Sequence, residues 1–89
     1  MARLIFSERF ADDLAELTSQ RVEDRVFECL DLIERFPDIG SLDLPESIHG
    51  RFGGAVRKFV VDAYDIIYTH EPDAEDVYIE ALIPAKAAR

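Results

Sequence analysis

The 89 residues carry 19 Asp and Glu against 10 Lys and Arg, a net charge of −9. A chain of this length makes a single domain, residues 1–89, and a field of this sign repels phosphate backbones and attracts basic partners, so direct nucleic-acid binding is disfavoured. With 48% hydrophobic and 33% charged residues and one cysteine, Cys29, the chain is expected to be a globular protein of the cytoplasm. It has no apolar run near the ~18 residues of a membrane span, no leader-like start, no internal disulfide and no cysteine-based zinc site.

Arg3-Leu4-Ile5-Phe6 is a short β-prone run, and Ser7 after it can cap a helix by accepting a free first-turn amide. Phe10, Leu14 and Leu17 recur at helical spacing, which predicts a first helix over about residues 8–17. Thr18 or Ser19 caps a second helix. In it Val22, Val26, Cys29, Ile33 and Phe36 step by 4, 3, 4 and 3, with Leu30 broadening the apolar stripe. Glu23, Asp24, Asp31, Glu34 and Arg35 make the opposite face. Pro37 ends this helix, because it disfavours helical geometry at Phe36 and has no amide to donate. Helices joined by so short a turn are expected to pack as an antiparallel hairpin.

Residues 37–54, with Pro37, Gly40, Pro45, Gly50, Gly53 and Gly54, read as loop. From Ala55 the period changes to two. Phe59-Val60-Val61 suits a strand buried on both faces. Asp62-Ala63 is a tight turn, Tyr64 to His70 the next strand, and Glu71-Pro72-Asp73-Ala74-Glu75 a second turn. Asp76 to Ile83 is the last strand, ended by Pro84. The predicted fold is α+β in the order β-α-α-β-β-β, a helical hairpin over one face of an antiparallel meander.

This arrangement, with Val56-Arg57-Lys58-Phe59-Val60-Val61-Asp62-Ala63-Tyr64-Asp65-Ile66-Ile67-Tyr68 and a last strand running into Pro84-Ala85-Lys86, resembles the RelE/ParE toxins of type II toxin–antitoxin modules over nearly the whole chain. The resemblance implies a toxin of the plasmid-stabilisation type, a cognate antitoxin as partner, and DNA gyrase or the ribosome as target. RelE-type members cleave messenger RNA on the ribosome with basic residues; ParE-type members inhibit gyrase without cleaving RNA. Where the family usually has arginine after the first tyrosine, this chain has Asp65, which reverses the local sign. Its ending also lacks the usual His-Gly-Arg pattern. The chain therefore fits the ParE-like branch better. The alternatives are a RelE-type endonuclease and a non-toxic homologue that acts only in protein association.

Arg51, Arg57, Lys58, Lys86 and Arg89 are the expected target contacts, against the plainer reading of solvated charge offset by Asp62 and Asp65. Lys58, Tyr64, Tyr68 and Lys86 are the catalytic candidates should the chain be an enzyme. Tyr64, Tyr68 and His70 alternate onto the face of a strand that also holds Ile66, so simple core packing competes with catalysis. Cys29 lies on the apolar stripe and reads as a buried structural thiol. His49 and His70 are too far apart in sequence for a helical metal pair, and Gly53-Gly54 leads into a strand rather than a helix, so no metal or cofactor is expected. Asp12, Asp13, Glu16 and Glu23 form acidic surface suited to a basic antitoxin arm.

Overall fold

The computed structural model describes residues 2–53, 55–71 and 73–85. The chain runs β1 (Arg3–Phe6), α1 (Glu8–Ala15), α2 (Gln20–Arg35), α3 (Glu46–Phe52), β2 (Val56–Val61), β3 (Tyr64–Thr69) and β4 (Asp76–Pro84). The four strands form one sheet in the order β1-β4-β3-β2. β2, β3 and β4 are the antiparallel meander. β1 joins β4 in parallel, with Leu4 opposite Val77 and Phe6 opposite Ile79.

Ser7 does two jobs at the entry to α1. Its hydroxyl accepts from the Phe10 amide at 2.9 Å and donates to the Glu80 carbonyl at 2.7 Å, so the cap also ties the helix to β4. α1 is shorter than its apolar spacing suggests, ending at Ala15, with the Leu17 amide turned onto the Leu14 carbonyl. Ser19 caps α2 through the Val22 amide at 3.3 Å. Pro37 stops α2 at Arg35 as expected.

α1 packs on β4 and α2 on β2, on one face of the sheet. Phe10, Val26, Leu30 and Ile33 from the helices meet Val61, Ile66, Tyr68, Val77, Ile79 and Leu82 from the strands. Ile33, Val26 and Ile66 are wholly buried, and each such aliphatic side chain contributes roughly 1.5–3 kcal/mol relative to leaving it exposed. Phe36, expected to finish the stripe, is 58% exposed. It follows the last helical residue, so the helical period no longer carries it inward.

The opposite face is covered as well, by an element hidden in the segment read as loop. Pro45 begins α3 and Gly53, at φ 96°, ends it. Leu44, Ile48 and Phe52, four residues apart, settle on Val56, Ile67, Ala81 and Ile83 as a second, smaller core. β2 differs from expectation too. It is an edge strand, and Val60 stands 59% exposed on it. β2 turns into β3 at Asp62, whose φ of 52° lies in the left-handed region tolerated by Asp and used by tight hairpins.

Candidate functional site

α2 ends at one margin of the sheet, and the chain then passes over β2 and β3 before α3. Three side chains hold this crossing, Arg57 of β2, Tyr68 of β3 and His70 just past the end of β3. The Tyr68 hydroxyl donates to the Pro37 carbonyl at 2.8 Å and accepts from the Gly40 amide at 2.8 Å. Arg57 Nη1 donates to the Gly40 carbonyl at 2.8 Å and the Asp38 carbonyl at 3.2 Å, and Nη2 lies 3.6 Å from the Asp38 carboxylate. His70 Nδ1 is 3.0 Å from the same carboxylate, and its Nε2 is 3.2 Å from the Ala74 carbonyl. Arg57 Nε is buried and, among the described residues, has no hydrogen-bond partner.

The approach is close. A Cβ added at Gly40 would lie 2.5 Å from the Tyr68 hydroxyl oxygen and 2.8 Å from the Lys58 carbonyl, so only glycine fits. Burial pushes the Tyr68 phenol above its ordinary value; the Gly40 amide and the Arg57 charge oppose that shift without cancelling it. A tyrosine with no exposed surface and both hydroxyl roles taken acts as an anchor for residues 37–40.

Beyond Gly40 the crossing segment makes a single bridge to the edge of the sheet. The Ser41 amide donates to the Lys58 carbonyl at 2.8 Å, and the Lys58 amide donates to the Ser41 carbonyl at 2.9 Å. Where the segment and β2 diverge, a cleft of about 320 Å³ opens between Ile39, Gly40 and Ser41 on one wall and Lys58, Phe59 and Val60 on the other. Ile39 is 44% and Val60 59% exposed, so the mouth of the cleft is apolar. Among the described residues no ion pair holds Lys58.

The sequence-predicted residues are thus distributed over several places. Arg57 and Tyr68 come together, opposite one another across β2 and β3, on the helical face. Lys58 points to the other face, by strand alternation. Tyr64 lies part-buried against the larger core. Arg51 is exposed on α3 with its guanidinium 5.4 Å from the Phe52 ring centre. Lys86 and Arg89 lie outside the described residues. Asp65 is 2% exposed, in register with Val60 and Ile83. Cys29 is buried, and burial raises its thiol above the usual range.

Of the acidic residues on the helices, Asp13 is committed. It accepts from the Leu82 amide at 2.9 Å and pairs with Arg9 at 3.4 Å, so it locks α1 to β4. Asp12 and Glu16 are exposed. A second apolar cleft, about 160 Å³, lies between α1 and α2 and is lined by Phe6, Phe10, Ala11, Leu14 and Phe27. The described residues contain no group of three or more His, Cys, Asp or Glu able to hold a metal ion, and no helix long and apolar enough to cross a membrane.

Sequence reasoning missed Asp38, Gly40 and His70 as parts of one network, and Ile39 and Val60 as walls of a cleft. The bonds from Tyr68 span 28 and 31 positions, and no local pattern announces contacts of that range. The readable signal was Gly40, immediately before Ser41-Leu42, which marks a point where backbone approaches another group.

Residues 4–87 match the model of the ParE toxin of type II toxin–antitoxin systems, parDE. None of the curated proteins compared with the chain matches it in sequence. Among solved structures, a chain of the intact E. coli RelBE toxin–antitoxin complex superposes with a TM-score of 0.71 at 17% identity, covering 94% of this chain and 96% of that one. The isolated E. coli RelE toxin in its P21 form gives a TM-score of 0.72 at 16% identity, covering 94% and 84%. At these identities the likeness is one of fold.

Proposed function

Because the chain belongs to the ParE toxin family of type II toxin–antitoxin systems, we propose that it is the toxin of such a module, that it acts by binding a cellular protein, with DNA gyrase the favoured target, and that a cognate antitoxin neutralises it. The observation that carries the choice of binding over RNA cleavage is the use made of Tyr68, a catalytic candidate, and of Arg57, a basic residue expected to contact the target. The Tyr68 hydroxyl and the Arg57 guanidinium are spent on the 37–40 crossing, inside the protein. A general acid must reach the reacting group, and a phosphate clamp must face it. The net charge of −9 and the buried carboxylate of Asp65 add repulsion for a phosphate backbone.

In this reading Arg51, Lys58, Lys86 and Arg89 are the contacts for the target. The test has two arms run on the same chain. Purified protein is added to a gyrase supercoiling assay, and messenger RNA from induced cells is mapped by primer extension. Inhibited supercoiling with intact transcripts is the expected result. Codon-phased cleavage would instead establish a RelE-type nuclease, and unimpaired growth with neither effect would establish a homologue limited to protein association. Deleting residues 86–89 spares the 2.8 Å bond from the Ala85 amide to the Ala63 carbonyl; the expected result is loss of toxicity with an unchanged circular-dichroism spectrum.

A further inference from the structure

We propose that Asp65 is an internal counter-charge for Lys86, so that the free chain holds its basic ending against the sheet and a target must take Lys86 from that carboxylate. The pairing stands on the fold alone; the competition with a target rests on the toxin reading above.

Asp65 is a charge that the fold has buried. It is 2% exposed, whereas Val60, directly opposite it on β2 and on the same face, is 59% exposed. Its other opposite neighbour is Ile83 of β4, and the α3 side chains laid on this face, Ile48 and Phe52, are apolar. A carboxylate out of water among such neighbours calls for a cation beside it. Among the described residues no ion pair meets Asp65. Lys58 shares its face, two positions along the register, but lines the cleft beside Ile39 and makes no ion pair with it.

Outside the described residues the only basic side chains are Lys86 and Arg89. The place where the described chain ends selects between them. The Ala85 amide donates to the Ala63 carbonyl at 2.8 Å, two residues from Asp65. Lys86 follows at once, on a flexible four-carbon stem, while Arg89 is three residues further along. Breaking such a pair leaves a bare buried carboxylate behind, so an acidic surface that engages Lys86 competes with Asp65 for it. The apparent affinity for that surface is reduced by the fraction of the population in which Lys86 is free.

The experiment uses the full chain and exploits its two lysines, Lys58 and Lys86. Acylation by an N-hydroxysuccinimide ester, followed by peptide mass spectrometry, reports each separately. In the native chain Lys86 is expected to react about tenfold or more slowly than Lys58, and in urea at a similar rate. Asp65→Asn removes the charge at nearly constant volume. In this variant Lys86 is expected to react as fast as Lys58, and half-inhibition of gyrase supercoiling to need about fivefold less protein.

A native Lys86 as reactive as Lys58 overturns the pairing, and so does an Asp65→Asn variant in which Lys58 alone is accelerated. A variant with a reactive Lys86 and unchanged or weaker inhibition keeps the pairing and overturns the competition. Should the unaltered chain not inhibit gyrase, the target reading fails and the competition with it, while the acylation rates still decide the pairing. Should Asp65→Asn not fold, the comparison of native chain and urea decides alone.

Discussion

The two faces of the sheet are built on different principles. The α1–α2 face is a continuous core in which capped helices of eight and sixteen residues bury Phe10, Val26, Leu30 and Ile33 against three strands. The other face is covered by seven residues of α3, started by a proline with no side-chain cap bond, and none of those seven is fully buried. One face supplies stability. The other is a light cover, laid over Val56, Ile67 and Ala81 and backed by little of its own. A small toxin-family domain can thus concentrate its cohesion in one layer and leave the remaining surface and edge for encounters.

The comparison is most directly broken by Ile33→Ala. Ile33 has no exposed surface, and its truncation is expected to cost about 3–4 kcal/mol in denaturant unfolding, a large share of the roughly 5–15 kcal/mol typical of a domain. A loss below about 1 kcal/mol would mean the larger layer is not the source of stability. Gly40→Ala should come next. The added methyl meets a backbone carbonyl and the Tyr68 hydroxyl, and displacement of the crossing is expected to cost about 2–3 kcal/mol.

Tyr68→Phe tests the same anchor without adding volume. It leaves the Gly40 amide and Pro37 carbonyl unpaired, at an expected cost of about 2 kcal/mol. It also changes the pH profile. Burial raises the phenol above its ordinary value, so the fold favours the neutral form. That contribution is complete below the unfolded value of about 10 and is lost as pH rises from there through the folded value. Wild type should lose stability in this alkaline range, and the phenylalanine variant should lose less. Ile48→Ala, on the light cover, is expected to cost only about 1 kcal/mol or less. Its signature is faster amide exchange confined to α3.

The contrast also explains what could be read from the sequence. The capped amphipathic helices and the β-branched meander announce themselves in local spacing and in Ser7, Ser19, Pro37 and Asp62. α3 does not. Pro45, Gly50 and Gly53 read as breakers, although Leu44, Ile48 and Phe52 share one helical face at a spacing of four. Pro at a helix start and Gly just past its end are boundary signals that mimic loop composition when only seven residues separate them. β1 is legible as a strand, but not its parallel place beside β4. The edge position of β2 was likewise hidden, because an apolar triplet looks the same at a margin as in the middle of a sheet. The candidate site was least legible, since Arg57 and Tyr68 stand out by residue type while their partners are backbone atoms far along the chain.

The pairing of β1 with β4 sets when the molecule can become complete. The Arg3 guanidinium grips the Asp76 carboxylate 73 positions later at 2.9 Å. The first strand must therefore wait, unpaired, until β4 has been synthesised. Such remote contacts slow folding and place the closure of the sheet among its late steps. Any surface that depends on the complete sheet is therefore absent until β1 has found its place beside β4.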